Sequence, residues 1–310
     1  MRVRVGIVSE TTTQFLNQVK LCLYSLRKHG GSLAGAPVTL ITNSDPLSPS
    51  EQSYFTTHFS PIEFKTAPRL GAILHTSKLN VFYSIDPSSY DALLYLDCDT
   101  VIRKPLDQIV APIEKKEADF VCRRGGETDR NRFVNFDKLV SRLCEGGGTK
   151  ISFDGEPEWP MFNSGVFAAS SEAIRRIRRD SIEFTYSIFN DFERVDAVES
   201  LPILKLLFRR GLLPSRQKVR QSWPIEQGAL ALASIKAGLR IQYLREEYNS
   251  WGNLDFHVLH CFKSAYRFDR ANMFASAEAD WLEEYSASDL LGKVFLAETI
   301  REFIKDGLAR

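Results

Sequence analysis

Two aspartates interrupt an otherwise apolar stretch of the chain, LLYLDCDTVI at residues 93–102. Asp97 and Asp99 are two residues apart, so on an extended backbone their carboxylates point to the same side. Two such carboxylates repel each other unless a cation lies between them or one is protonated. Mg²⁺ and Mn²⁺ bind one or two carboxylates and complete their shells with water and substrate phosphates. The pair therefore favours a divalent-metal site, and a solvated turn at a strand end is the alternative.

A second stretch, FHVLHCFKSAYRF at residues 256–268, offers a nitrogen ligand for the same ion. His260 and His257 are both candidates, although a histidine in an apolar strand is more often a core residue. One imidazole beside two carboxylates suits Mn²⁺ somewhat better than Mg²⁺. Lys263 and Arg267 follow at once, and cations next to a metal suit a polyphosphate. A solvated basic turn is the alternative for these two.

Three other polar stretches lie near predicted strand or helix ends. Lys78 lies in HTSKLN, on the helix that precedes the aspartate strand. Asn163 and Ser164 in MFNSGVF precede a strand and offer an amide and a hydroxyl for a hydroxyl-rich ligand or for turn formation. Glu226 and Gln227 begin a helix in WPIEQGALALA, where an acid also favours the helix dipole.

The elements that carry these residues follow from apolar periodicity. Buried strands are predicted at residues 3–8, 37–42, 91–97, 118–123 and 164–170, and helices at 15–30 and 71–85. Alternating strands and helices predict an α/β fold with a doubly wound, mostly parallel sheet. Ligands bind such sheets beyond the carboxyl ends of the strands. The two aspartates lie at such an end.

Two regions depart from this alternation. Residues 123–160 are rich in glycine and charge and are predicted as a long excursion with one short helix near 136–144. Such long segments are often lids or substrate loops. Past residue 270 the pattern becomes helical. One catalytic domain with a helical C-terminal tail explains this organisation more simply than two domains.

Composition limits the classes of partner. Of the 310 residues, 44% are hydrophobic and 25% charged, and Lys+Arg 40 against Asp+Glu 39 gives a net charge of +1. This balance gives no field that would favour nucleic acid. Basic clusters at residues 175–179 and 209–220 are predicted as solvated helix faces, with an anionic membrane or acceptor as the alternative.

The cysteines and the lengths of the apolar runs indicate the cellular compartment of the protein. The five cysteines are odd in number and form no CxxC pair, which favours a reducing compartment. The first residues contain too short an apolar run for a signal peptide, and no run reaches the length of a spanning helix. We expect a cytoplasmic protein, with peripheral contact to the inner face of the membrane and homo-oligomerisation left open.

Taken together, the stretches resemble one family. TSKLNVFYSI, YDALLYLDCDTVI, FNSGVF, EQGALA and LREEYN, followed by His260, keep the order and approximate spacing of the glycogenin-like, family 8 glycosyltransferases. That family also contains bacterial lipopolysaccharide galactosyl- and glucosyltransferases. The resemblance covers roughly residues 3–268, and the Asp-x-Asp strand and FNSGVF are its most specific parts.

The resemblance implies a GT-A fold, Rossmann-like and doubly wound, over residues 1–268. A nucleotide-sugar half would cover about residues 1–122 and an acceptor half about 123–268, with 269–310 as a helical extension. It also implies a Mn²⁺-dependent retaining hexosyltransferase, with Mg²⁺ as the alternative ion. UDP-glucose or UDP-galactose would be the donor, and a saccharide or lipid-linked molecule of cell-surface polysaccharide synthesis the acceptor.

Site roles follow position by position from the same resemblance. The metal ligands are Asp97, Asp99 and His260. The donor-binding positions are Val8, Ser9, Thr11, Lys78, Asp97, Cys98, Asp99, Ser164, Lys263 and Arg267. The catalytic positions beside the transferred sugar are Asn163, Glu226 and Gln227.

The chain departs from the family pattern at two places. The family's Asp-Gln pair is Glu226–Gln227 here, so the acidic side chain is one methylene longer. The usual His-x-x-Gly-x-x-Lys-Pro-Trp ending reads HCFKSAYRF, without the glycine and with a displaced lysine. The diphosphate contact is therefore either Lys263 or Arg267.

Two other functions are compatible with parts of the sequence. A sugar nucleotidyltransferase also uses an α/β sheet and metal-binding carboxylates, but it would need a glycine-rich phosphate loop, which GIVSETTTQF after the first strand lacks. A catalytically silent scaffold or sugar-nucleotide binding module would keep the fold without turnover, and the intact aspartate–histidine set argues against it.

Overall fold

The structure is a computed structural model. It describes residues 1–70, 74–125, 162–199, 225–253, 255–261, 273–274 and 279–309. The predicted short helix near residues 136–144, and with it most of the 123–160 excursion, lies outside these ranges.

Strands and helices alternate through most of the described chain. The strands are β1 (Val3–Ser9), β2 (Val38–Asn43), β3 (Ile62–Ala67), β4 (Ala92–Leu96), β5 (Thr100–Ile102), β6 (Phe120–Arg124), β7 (Phe162–Ser170), β8 (Ile241–Leu244) and β9 (Val258–His260). The helices are α1 (Thr13–His29), α2 (Pro49–Phe59), α3 (Val81–Ser84), α4 (Asp107–Glu114), α5 (Ser171–Glu199), α6 (Ile225–Lys236), α7 (Ala279–Ser286) and α8 (Leu291–Lys305). Short 3₁₀ segments cover Gly31–Gly35, Leu74–Asn80 and Glu246–Asn249.

Seven strands form one mixed sheet in the order β3-β2-β1-β4-β7-β6-β8. β7 runs antiparallel to both of its neighbours, while the other paired strands are parallel. This confirms the predicted α/β class with a mostly parallel sheet. Because β7 is reversed, its first residues lie beside the carboxyl end of β4, at the edge where ligands of parallel sheets bind.

The sheet separates two apolar cores. Side chains alternate along β4, so Leu94 and Leu96 pack into a first core with α1, α2, α4, α7 and α8. Leu93 and Tyr95 pack into a second core with α3, α5 and α6. Helices on both faces of a largely parallel sheet are the doubly wound arrangement that the sequence predicts.

The segment predicted as a helix at residues 71–85 is different. Its described part is 3₁₀ over Leu74–Asn80 and continues as the single-turn helix α3. Leu79 of the 3₁₀ segment, Phe82 of α3 and Ile85, the extended residue that follows α3, are all buried. The elements α2, β3, α4, β5 and β8 are also absent from the sequence prediction.

The helical tail shares the first core. Phe303 of α8 meets Tyr24 of α1 edge to face, with ring centroids 5.4 Å apart. The Tyr24 hydroxyl donates to Asp306 at 2.7 Å, and Lys28 pairs with Glu302 at 2.7 Å. None of the helices within the described ranges combines the length and apolar character that a bilayer-spanning segment needs.

Candidate metal centre

A tight turn after β4 positions the two aspartates. Asp97 follows the last residue of β4, and its N–H donates to the Gly165 carbonyl at the start of β7 at 2.8 Å. The Thr100 N–H and hydroxyl both donate to the Asp97 carbonyl, at 3.1 and 2.7 Å. These bonds reverse the chain between β4 and β5 and fix the Asp97–Asp99 backbone.

The third side chain arrives from the far end of the chain. β5 and β9 form a separate antiparallel pair in which Thr100 lies opposite His260. The Cys261 N–H donates to the Asp99 carbonyl at 2.8 Å, and the His260 N–H donates to the Ser250 carbonyl at 2.8 Å. This register places the imidazole beside the carboxylates.

The resulting geometry fits one divalent ion. His260 Nε2 lies 3.4 Å from Asp99 Oδ1 and 3.8 Å from Asp97 Oδ2, and one ligand atom from each residue lies within 4.8 Å of the others. Two ligands at right angles around Mg²⁺, each about 2.1 Å from it, are roughly 3 Å apart. The set of two carboxylates and one imidazole therefore matches the spacing and chemistry that Mn²⁺ or Mg²⁺ requires.

Gly165 makes room for the imidazole. A Cβ added at this position would lie 2.7 Å from Cε1 and 2.8 Å from Nδ1 of His260, and 3.2 Å from Nδ2 of Asn249. Real Cβ atoms do not approach so closely, so the glycine of FNSGVF allows β7 and β9 to pack at this distance.

A buried lysine stands next to the acidic pair. Lys78 Nζ donates to Asp97 Oδ2 at 3.0 Å and to Ser164 Oγ at 3.1 Å, and it lies 3.5 Å from Glu226 Oε1. The Ser164 hydroxyl donates to Glu226 Oε1 at 3.2 Å. Asp97 follows Leu93 and Tyr95 in the strand alternation, so it faces the same layer as these groups.

The ionisation of the site follows from burial and from these charges. Burial favours the neutral form of Asp97, but the charges of Lys78 and His260 outweigh it and leave its pKa below the usual value. Burial likewise opposes the charge on Lys78 and on His260, yet the carboxylates raise the pKa of both. Burial dominates at Glu226 and raises its pKa to about 7.

Tyr95 and Asn163 hold the site from two sides. The Tyr95 hydroxyl donates to Asp97 Oδ1 at 2.7 Å, which leaves Oδ2 as the oxygen that faces His260. Asn163 Oδ1 accepts bonds from Asn249 Nδ2 at 2.7 Å and from the Gly165 N–H at 3.2 Å. The Asn163 side chain therefore binds the backbone of Gly165, whose carbonyl accepts the N–H of Asp97.

Some candidates lie elsewhere. His257 stacks on Tyr248 with centroids 4.4 Å apart, and its Nδ1 lies 2.9 Å from the Pro105 carbonyl oxygen, so His260 is the histidine of the site. Cys98 packs into the first core, with its Sγ 3.5 Å from Gln18 Oε1, because strand alternation turns it away from Asp97.

The remaining candidates surround the site or lie outside the described residues. Val8 is buried in the second core, and the Ser9 hydroxyl donates to the neighbouring carbonyl of Glu10 at 3.0 Å. Thr11 is half-buried just beyond β1, and Gln227 is buried in the first turn of α6. Lys263 and Arg267 belong to the part of the chain that is not described.

A polar cluster at the ends of β1 and β2 is missing from the sequence prediction. Glu10 is buried and accepts bonds from Asn43 Nδ2 at 3.0 Å and from Arg69 at 2.5 Å. Asn80 Nδ2 lies 3.4 Å from Asn43 Oδ1 and donates to the Pro68 carbonyl at 2.8 Å. The signal in the sequence is a polar residue at the carboxyl end of each strand, Glu10 just after β1 and Asn43 as the last residue of β2, at the same sheet edge as Asp97.

No family model and no curated protein matches the sequence. The structure is similar to those of several solved glycosyltransferases. The galactosyltransferase LgtC, in complex with donor and acceptor sugar analogues, is 12% identical, with 72% of this chain and 83% of that chain covered and a TM-score of 0.43. The core-mannan synthase CmsA of Aspergillus fumigatus, in a Mn/GDP form, is 8% identical, with 78% and 72% covered and a TM-score of 0.44.

A third similar structure is the glycosyltransferase GlyE of Streptococcus pneumoniae. It is 13% identical, with 98% of this chain and 64% of that chain covered and a TM-score of 0.45. The present chain therefore spans less than two thirds of GlyE. Identity is low and each of these TM-scores is below 0.5, so these similarities do not assign the chemistry, which the residues of the site determine.

Proposed function

We propose that this protein is a glycosyltransferase that uses a divalent metal ion, Mn²⁺ or alternatively Mg²⁺, and transfers a hexose from a UDP-sugar. The observation that carries the proposal is the convergence of Asp97, Asp99 and His260 at the carboxyl end of a central strand, beside the buried Lys78. Hard-metal ligands next to a fixed cation suit a diphosphate, the leaving group of a nucleotide sugar. UDP-glucose and UDP-galactose are the donors to test first.

The metal ligands and the nearby cationic side chains act together on the diphosphate. Asp97, Asp99 and His260 hold the ion, which when bound supplies Lewis-acid stabilisation of the diphosphate. Lys78 adds a fixed positive charge that is already oriented by Asp97, Ser164 and Glu226, so no reorganisation is needed as negative charge develops. Lys263 or Arg267 would contact the same diphosphate.

The sheet order supports a division of the donor site. The Glu10–Asn43 cluster lies over β1 and β2, on one side of the metal ligands at β4, and offers hydrogen bonds to the nucleoside. Asn163 and Ser164 lie on the other side, on β7, where the transferred sugar would extend. Val8, Ser9 and Thr11 line the nucleoside side.

Glu226 and Gln227 are the groups proposed to bind the transferred sugar. Glu226 is buried, and its Oε2 has no hydrogen-bond partner among the described residues, so it can accept a bond from a sugar hydroxyl. Gln227 offers only an amide, which is a poor nucleophile. We therefore propose that the acceptor attacks from the side of the leaving group, with retention of anomeric configuration and the departing phosphate as base. A product of inverted configuration would contradict this step.

A donor screen by UDP release tests the proposal. With Mn²⁺ present, we expect the protein to release UDP from UDP-glucose or UDP-galactose, and we expect EDTA to stop the release. Asp99→Ala should reduce the rate by at least roughly 10²–10³-fold, because losing a ligand of the ion removes electrostatic stabilisation of the diphosphate. Asp289→Ala, which changes an exposed acid, serves as the matched control.

Other outcomes of the screen point to other functions. Pyrophosphate release from UTP and a sugar phosphate would indicate a nucleotidyltransferase instead. Mn²⁺-dependent UDP binding without turnover of any UDP-sugar would indicate a silent binding protein. We further propose that the acceptor is a saccharide or a lipid-linked molecule of cell-surface glycan synthesis. The proposed location is cytoplasmic, with peripheral contact to the membrane.

A further inference from the structure

A large aromatic side chain stands at the surface beside the candidate metal centre. Trp251 is 49% exposed, unusually high for a residue of this size. The preceding residue, Ser250, donates its N–H to the Val258 carbonyl at 2.9 Å and accepts from the His260 N–H at 2.8 Å. The backbone that carries Trp251 is thus bonded directly to the strand that carries His260.

An arginine fixes the orientation of the indole. The Arg123 guanidinium carbon lies 5.4 Å from the Trp251 ring centroid, within the range of a cation–π contact. Arg123 itself is held, because it donates to the Asn249 carbonyl at 2.6 Å and pairs with Glu246 at 3.3 Å. The Arg123 guanidinium therefore lies against the indole, and 49% of the Trp251 surface stays exposed.

Side-chain contacts connect this pair to the site. Asn249, which binds Arg123 through its carbonyl, donates from its side chain to Asn163 at 2.7 Å. Both Asn249 and His260 lie against Gly165. Through these contacts, Trp251 is linked to the side of the metal centre on which Asn163 lies.

The sheet order indicates which substrate lies there. β7 and β6, which carry Asn163 and Arg123, are on the opposite side of β4 from the polar cluster on β1 and β2. If the nucleoside occupies the β1–β2 side, a ligand on the Trp251 side lies beyond the transferred sugar. The molecule that must approach from there is the acceptor.

We propose that Trp251, oriented by Arg123, is the binding platform for an acceptor saccharide. The inference rests on the proposed glycosyl transfer. A pyranose has one face lined by C–H groups and an edge of hydroxyls, and a half-exposed indole supplies a flat apolar surface for such a face. The rigid ring also loses little conformational entropy on binding, which is why tryptophan is frequent at binding hot spots.

The experiment separates effects on donor binding from effects on acceptor binding. Trp251→Ala is compared with Trp251→Phe and with Tyr186→Ala, which removes another exposed ring, on α5. Mn²⁺–UDP affinity and UDP release without acceptor should be the same in all four proteins. Saturation-transfer NMR with methyl β-D-glucopyranoside, methyl β-D-galactopyranoside and lactose should show contact with the wild type and with Tyr186→Ala.

In Trp251→Ala, we expect the affinity for the saccharide that binds best to fall roughly 10-fold or more, and Trp251→Phe should retain most of it. Unchanged saccharide binding in Trp251→Ala, or no saccharide contact in the wild type, would overturn the inference. A fall in UDP affinity in Trp251→Ala would also overturn it, because the ring would then stack on the nucleobase. Donor turnover by the wild type tests the proposed function separately from all of these results.

Discussion

Gly165 is the residue whose lack of a side chain shapes the candidate metal centre. It lies against the imidazole of His260, while its carbonyl accepts the N–H of Asp97. One backbone position thus contacts two of the three proposed ligands. A methyl group there has to displace the imidazole, because β7 is held in the middle of the sheet and cannot retreat.

We predict that Gly165→Ala weakens Mn²⁺ binding by roughly 10–100-fold, the usual effect of disturbing the groups that orient a metal ligand. Free Mn²⁺ measured by EPR gives the affinity directly, without a need for turnover. Gly35→Ala is the matched control, since a Cβ there meets nothing within 4 Å. Equal affinity in Gly165→Ala and the control would show that His260 does not bind the ion.

Glu226 makes stability depend on pH in a direction that can be worked out. Its pKa is raised to about 7 by burial, whereas an unfolded glutamate titrates near 4.5. The folded state therefore binds more protons in this window, and the contribution of Glu226 to stability is present below pH 4.5 and is lost as pH rises through 7. Lys78, Asp97 and Ser164 are the groups that face or influence this carboxyl.

In Glu226→Gln this loss should disappear, because the amide does not titrate. We predict that the free energy of unfolding of the wild type falls relative to the variant by an amount on the order of 3 kcal/mol between pH 4.5 and pH 7. Urea unfolding in EDTA at several pH values measures the difference. Glu298→Gln, an exposed site, should follow the wild type, and parallel curves for wild type and Glu226→Gln would contradict the assignment.

For individual residues, the sequence predicts which side chains could bind the metal better than it predicts which residues contact them. Asp97, Asp99 and His260 are recognisable because charge in apolar strands needs a partner. The Glu10–Asn43 contact could not be predicted, because it depends on which strands are neighbours. The orientation of Cys98 away from the site could have been read from strand alternation, which sends it to the face opposite Asp97.

Among the elements, the β5–β9 pair is small but decisive for the site. It contains only three residue pairs and is separate from the seven-stranded sheet. Helix α1 supports it, because the Ser25 hydroxyl accepts the Ile102 N–H at 2.9 Å and donates to the Cys22 carbonyl at 2.9 Å. Ser25 is fully buried, so the Ile102 N–H would have no water to replace this bond.

Ser25→Ala should therefore destabilise the protein by about 1–3 kcal/mol, the cost of leaving a buried backbone donor unsatisfied. The urea midpoint measures the loss. Ser53→Ala, on the exposed face of α2, makes the same chemical change and should stay within about 0.5 kcal/mol of the wild type. If both variants unfold at the wild-type midpoint, the hydrogen bond does not contribute.

The long apolar strands β1, β2, β4 and β7 are predictable because continuous burial leaves a continuous apolar run. β5 has three residues, too few for a periodic signal. The 3₁₀ segment Leu74–Asn80 resembles a helix in its spacing, and its geometry depends on contacts such as that of Asn80 with Pro68. The reversal of β7 is a tertiary property that local pattern does not encode.

At the scale of the whole molecule, the C-terminal helices belong to the same core as the first strand. Phe303, Ile300 and Leu296 of α8 are fully buried in the first core with Val5 and Ile7 of β1. The sequence indicates the helices through their periodicity but not the surface that they cover. Removing their apolar contacts should therefore affect the whole fold rather than a separate tail.

Phe303→Ala tests this point. Deleting a buried phenylalanine usually costs about 3–5 kcal/mol, and we expect that loss in a single unfolding transition seen by both circular dichroism and tryptophan fluorescence. Ile304→Ala, at the next position, changes a side chain that is 37% exposed and should cost far less. Two separated transitions would show that α7 and α8 unfold independently.

The three proposed ligands come from a turn in the first third of the chain and from a strand near its end. During translation, Asp97 and Asp99 are synthesised well before His260. Until β9 has paired with β5, the nascent chain therefore has the two carboxylate ligands without the imidazole. Loading of the ion is therefore expected to be a late event in biogenesis. Retention of the metal would then mark chains in which β9 has been synthesised and has paired with β5.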